Sequence, residues 1–312
     1  MKTLPLFYYP NSWVWVDDDK TLLETMALFF GKKNTIKSFQ SARTCLNFLQ
    51  QYKSPLSHQN FLISNKQDLS YGTLQHTPVD FDITILANLA NFPERYHEIT
   101  VIVIDYNMPE MDGYSLAKVI QQLPIQKILL TGKAQENEAI NGFNHNLIHR
   151  FVQKGIETMK EMLSIYLKEL TLQYFQQLTL PLLSYLETES KLPLTDSIFI
   201  DFFETYCEQY QIKEYYLADK NGSFLCIDSK GKRSCLVVQT ERGINKLLNI
   251  CQEEGYFQGD KLAMIQNREQ IPFFGIGKEG WQIDTSLWHK HMYTPNILEG
   301  KERYFWATVP LE

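Results

Sequence analysis

No run of about 18 consecutive apolar residues occurs anywhere in the chain, so no segment has the length a membrane-spanning helix needs. The N-terminus, MKTLPLFYYPNSW, carries one lysine, an early proline and no apolar core, so no signal peptide is expected. Cysteine is scarce: Cys45, Cys207, Cys226, Cys235 and Cys251 form no CxxC pair and sit mostly in apolar runs, where a thiol acts as a small hydrophobe. A reducing, cytoplasmic setting is expected. An excess of basic charge is also missing, with 30 Lys and Arg against 36 Asp and Glu, so neither nucleic acid nor an anionic membrane surface is an expected partner. Phosphate-cradling glycine loops are absent too. GIGKEG (275–280) matches GxGxxG in form but precedes WQIDTSLW rather than a helix start, and TGKA lacks the glycines of a P-loop.

What is present is a chain of 312 residues, 44% hydrophobic and 13% aromatic, enough to build two domains with real cores. WVWV (13–16) reads as a buried strand, and DDDKTLLETMALFF continues with apolar residues at helical spacing. TIKSF (35–39) then reads as a strand, followed by a helix that Ser41 is placed to cap. A polar segment with two prolines interrupts the pattern from about residue 54, and FDITILANLANFPERYHE (81–98) predicts helix. The alternation resumes with ITVIVID, MDGYSLAKVIQQL, KILLT (127–131), QENEAINGFNHN and LIHRFVQK. Five strands alternating with helices predict an α/β domain, a doubly wound parallel sheet covered on both faces, with ligand chemistry at the carboxyl ends of its strands.

Those ends carry a consistent set of groups: Asp17 and Asp18 after the first strand, Asp105 after the third, Thr131 after the fourth and Lys154 after the fifth. Crowded carboxylates repel one another, and a hard divalent cation relieves them; Mg²⁺ accepts a few protein oxygens and keeps several waters. A carbonyl on Asn107, two residues past Asp105, completes the set. Such a site neutralises an incoming phosphoryl group while Asp105 attacks in line, with Lys154 and Thr131 bonding phosphoryl oxygens. Asp19, a third acid at a helix start, reads as a dipole-stabilising residue. His145 and His149 lie four apart without an acidic partner segment, and read as solvent-facing.

With VDDD, DYNMPEMDG, LLTGKA and FVQK in this order, the chain resembles the receiver domain of two-component response regulators over roughly residues 11–170. The resemblance implies a flavodoxin-like sheet, phosphorylation of Asp105 by a sensor histidine kinase or phosphotransfer protein, Mg²⁺ on Asp17, Asp18, Asp105 and Asn107, and a switch pair of Thr131 and Phe151. Two departures stand out. Gly155 replaces the proline that usually follows the lysine, and the interval from Asp18 to Asp105 is longer than usual by the insert at about 54–98.

The expected organisation is a receiver over 1–155, a helical linker over 156–190 and an α+β output domain over 191–312. Ile156, Met159, Leu163, Tyr166, Leu170, Tyr174 and Leu178 follow spacings of three and four, which suits either a coiled-coil seam, hence a homodimer, or a last helix packed on the sheet. In the output segment DKNG and KGKR predict hairpins between short strands, and the order of elements is similar to PAS-like or GAF-like sensor folds. From residue 191 onward 14 basic residues face 17 acidic ones, and no basic recognition helix is evident. The expected function is a phosphorelay response regulator with a non-DNA-binding output that acts on a protein or small ligand. No enzymatic activity is expected beyond phosphorylation of its own aspartate and the loss of that phosphate. The alternatives are a receiver-controlled enzyme and a receiver serving as an interaction module.

Overall fold

The computed structural model describes residues 3–31, 35–58, 61–64, 79–132, 140, 142–186, 193–254, 260–278 and 285–311. Half of the helix expected over 135–146 and the end of GIGKEG lie outside these residues. The polypeptide packs as two compact units. One comprises Tyr9–Gln59 and Pro93–Leu178, the other Met1–Tyr8, Asn60–Phe92 and Thr179–Glu312.

The first unit is built on five parallel strands in the spatial order Thr35–Phe39, Ser12–Val16, Ile99–Asp105, Gln126–Thr131, Arg150–Gln153. In chain order that is second, first, third, fourth, fifth, the flavodoxin-like arrangement, whose switch point lies between the first and third strands. The continuous apolar runs follow from burial on both faces. Trp13, Trp15, Val101, Val103, Ile128 and Leu130 point to one face, under helices Lys20–Phe30 and Met159–Thr179. Val14, Val16, Ile102, Ile104 and Leu129 point to the other, under helices Ala42–Gln51 and Gly113–Val119. Each such side chain contributes roughly 1.5–3 kcal/mol on leaving water. Helix starts follow local chemistry: Asp19 caps the first helix by accepting from the Thr21 and Leu22 amides, Ser41 caps the second, and Asp112 caps Gly113–Val119.

Of the two readings of the apolar stripe, the packed last helix is the one observed. Met159, Leu163, Leu167 and Leu170 belong to the core of the parallel-sheet unit, and Tyr174 is buried, so these residues are not free to form a coiled-coil seam. Polar ties fix the same helix. Trp13 Nε1 donates to Thr171 at 3.1 Å, Gln126 to Gln177 at 2.8 Å, Tyr174 to the buried Glu98, and Arg150 pairs with Glu169.

Two local expectations are corrected. The helix expected over 81–98 is short, Ile83–Asn88, and gives way to 3₁₀ turns at Leu89–Asn91 and Pro93–His97, because Pro93 cannot continue an α-helical ladder. His149 does not face solvent. Its half-buried ring accepts the Lys127 amide at 2.9 Å through Nδ1, and burial, with Lys127 and Arg150 beside it, lowers its pKa to about 4.

The second unit carries a six-stranded antiparallel sheet in the order Phe7–Tyr8, Ile212–Leu217, Phe224–Asp228, Arg233–Thr240, Arg303–Pro310, Asn296–Glu299. DKNG and KGKR close its hairpins, with the Ala218 amide on the Ser223 carbonyl at 2.8 Å and the Asp228 amide on Lys232 at 3.0 Å. Helix Ser197–Gln209 covers one face through Phe202, tilted against Trp306, and Phe203, edge-on to Tyr215 and tilted against Phe224. The insert also packs in this unit: Phe61 stacks on Phe7, helix Ile83–Asn88 lies against Ile212–Leu217, and Arg233 donates to Asn91 Oδ1 at 2.8 Å. All five cysteines are free thiols, and among the described residues no helix is long and apolar enough to cross a membrane.

A fragment starting at residue 191 lacks both the edge strand Phe7–Tyr8 and the cover supplied by 60–92. Its expected state is unfolded or aggregated, as read by circular dichroism and amide dispersion in NMR spectra; a dispersed, monomeric fragment would show that these segments are dispensable.

Candidate functional site

The parallel register that pairs Val16 with Ile104 carries the next residues, Asp17 and Asp105, to the same rim at the switch point. Asp17 is held from both sides. Its amide donates to the Phe39 carbonyl at 3.1 Å, and its Oδ1 accepts the Asp19 amide at 2.9 Å. Asp105 ends a strand in which all seven residues are buried. Lys154 closes the site from the fifth strand. Its amide donates to the Thr131 carbonyl at 2.8 Å, and its Nζ lies 2.7 Å from Asp17 Oδ2 and 2.8 Å from Asp105 Oδ1.

Burial raises the Asp17 pKa, partly opposed by the hydrogen bonds from Lys154 and the Asp19 amide. For Lys154, burial alone would lower the ammonium pKa, but its bonds to Asp105 and Asp17 outweigh this and raise it. The amine thus acts as a permanent cation between two sequestered carboxylates.

Asp18 is exposed, yet one carboxylate oxygen each from Asp17, Asp18 and Asp105 lies within 4.8 Å of the others. Among the described residues this is the one such group of three acid, histidine or cysteine side chains. Asp17 Oδ2 is buried and faces the Lys154 ammonium at 2.7 Å. Hard carboxylate oxygens so close together fit a small divalent cation such as Mg²⁺.

Thr131 is buried at the end of its strand and shares a sheet face with Phe151, which is half-buried against the core beside Leu129. Asn107 is exposed in the loop two residues beyond Asp105. A positioning residue not singled out in the sequence is Gly113. Its amide donates to the Tyr106 carbonyl at 2.9 Å, and a Cβ there would meet the Asp105 carbonyl oxygen at 2.2 Å. Only glycine lets the helix start this close to the acidic strand end; the signal for it was the glycine of MDG directly after the capping aspartate.

The structure of the Legionella pneumophila response regulator LqsR is similar over 99% of this chain and 89% of that one, with a TM-score of 0.78 and 28% identity. The receiver domain of a Francisella response regulator overlaps 52% of this chain and 98% of its own, at a TM-score of 0.34 and 17% identity. The signal receiver domain of an HD domain-containing protein from Pseudomonas fluorescens overlaps 54% and 91%, at 0.35 and 15%. Protein-family models give no match, and neither do curated proteins. In fold and over nearly its whole length the chain is thus similar to a response regulator with a CheY-like receiver. Its receiver has the flavodoxin-like sheet, and a separate antiparallel sheet forms its other unit.

Substituting Lys154→Met removes the cation and leaves Asp17 and Asp105 facing each other. The expected loss is roughly 2 kcal/mol of unfolding free energy in metal-free buffer at neutral pH, partly restored by millimolar Mg²⁺. Because the folded-state ammonium pKa is raised, the wild-type contribution is complete below the ordinary value of 10.5 and is lost only as pH climbs past the raised one. Urea titrations of both proteins from neutral to alkaline pH check this; equal stabilities at neutral pH would refute it.

Proposed function

We propose that Asp105 accepts a phosphoryl group from the phosphohistidine of a sensor histidine kinase or phosphotransfer protein, a reaction that places the protein in the cytoplasm. The observation that carries this reading is the Lys154 ammonium held within 2.8 Å of both Asp17 and Asp105, with Asp18 completing the acidic triangle. An Asp105 carboxylate oxygen attacks phosphorus in line. The oxygen–phosphorus bond forms as the phosphorus–nitrogen bond of the donor breaks, the electron pair goes to the imidazole, and an acyl phosphate results.

Asp17, Asp18, Asp105 and the Asn107 carbonyl would hold Mg²⁺, which when bound supplies positive charge against the phosphoryl oxygens. Lys154 pairs with one phosphoryl oxygen as a point charge, and the Thr131 hydroxyl donates to another. Phe151, on the same face as Thr131, follows the threonine inward and repacks the surface beside the last strand. The antiparallel unit then acts by contact with a protein or small ligand; its acidic balance of 14 basic to 17 acidic residues from 191 onward disfavours DNA.

The expected outcome of Asp105→Asn is complete loss of labelling by radioactive acetyl phosphate in the presence of Mg²⁺, with the fold retained by circular dichroism. Undiminished labelling would sink the assignment.

A further inference from the structure

We infer that Gly155 is a positioning residue for the Lys154 ammonium: a left-handed backbone turn at this residue sets the direction from which the amine reaches Asp17 and Asp105. The inference deepens the phosphotransfer reading and rests on it for its kinetic consequence.

Lys154 sits just past the end of strand Arg150–Gln153, but its amide still donates to the Thr131 carbonyl, so its backbone is held in line with the sheet. On the far side, Ile156 is packed against the core face beneath helix Met159–Thr179, and its carbonyl accepts the Met159 amide at 3.1 Å. Between these two anchored residues the chain must leave the sheet and turn into the helix. It does so at Gly155, with φ of +78°. L-residues other than Asn and Asp rarely adopt this region, where Cβ crowds the carbonyl oxygen.

Space is not the reason for glycine here. A Cβ on Gly155 would meet nothing within 4 Å, whereas on Gly113 it would strike the Asp105 carbonyl oxygen. The two glycines of the site answer different constraints, close approach at 113 and backbone sign at 155. Since a Cβ on Gly155 would meet nothing within 4 Å, the effect of alanine there reports backbone conformation rather than crowding. With the Thr131 bond and Ile156 both holding, a residue that refuses positive φ must rotate the Lys154 carbonyl plane or break the Thr131 bond. Either change swings the amine from its position between the two carboxylates.

The test is a series in the full chain, Gly155→Asn, →Ala, →Val and →Pro, with two readouts. The first is the acetylation rate of Lys154 by acetic anhydride, followed by mass spectrometry. An amine locked between two carboxylates reacts slowly, so Val and Pro should expose it by about tenfold or more, Ala by several-fold, and Asn by less than about twofold, following the left-handed cost of each residue. The second is labelling of Asp105 by acetyl phosphate with Mg²⁺, which should fall in the same order, and the order should vanish in a Lys154→Ala background.

Equal Lys154 reactivity across the series overturns the inference, as does an undiminished labelling order when Lys154 is already alanine, since that marks a merely structural effect. If the wild-type chain takes no label, the phosphotransfer reading fails by itself, and Lys154 reactivity still decides the role of Gly155.

Discussion

A single ammonium group between two buried carboxylates organises the receiver end of this protein. Asp17 and Asp105 are brought side by side by sheet register, which cannot separate them without unpairing the two central strands. Their repulsion has to be met on the spot, and Lys154 meets it from a third strand at 2.7 and 2.8 Å. The backbone bond to Thr131 holds the lysine's main chain, and the turn at Gly155 directs its side chain. The one ammonium offsets only part of the negative charge that Asp17, Asp105 and the nearby Asp18 bring to the rim, so a further positive charge is still favoured there.

Much of this was readable in the sequence because both faces of the parallel sheet are buried. Full burial forces uninterrupted apolar runs such as ITVIVID, and a run that ends in an acid advertises a strand carrying a charge to the rim. Asp17, Asp105 and Lys154 were legible for that reason, and DKNG and KGKR marked hairpins through turn chemistry. What escaped depended on distant pairing. Phe7–Tyr8 is only two residues long and is a strand solely because Ile212–Leu217 lies beside it. Asn296–Glu299 is an edge strand with an exposed, weakly alternating pattern. His149 looked like a surface residue until its ring was found receiving the Lys127 amide. The apolar stripe of the long helix was ambiguous for a similar reason: spacing shows that a face is covered, not by what.

The insert illustrates how a segment can look aimless in one context and be ordinary in another. Within the pattern of the parallel sheet, the residues after 54 interrupt a strand and helix alternation. Within the antiparallel unit, Phe61, helix Ile83–Asn88 and Asn91 form a cover for the strands that carry Phe7, Tyr215 and Arg233. The chain accordingly passes from one unit to the other four times, near residues 8, 59, 92 and 178. Glu98, buried and bonded to Ser54 and Tyr174, ties together three stretches of the receiver unit that lie close to such crossings.

This interleaving has a bearing on biosynthesis. During translation Tyr8 emerges early, yet its strand partner Tyr215 follows more than two hundred residues later. Until then the aromatic N-terminal edge and the apolar helix at Ile83–Asn88 lack the strand Ile212–Leu217 that they lie against. A chain threaded this way keeps apolar segments without their partners for longer during synthesis than one whose domains follow each other in line.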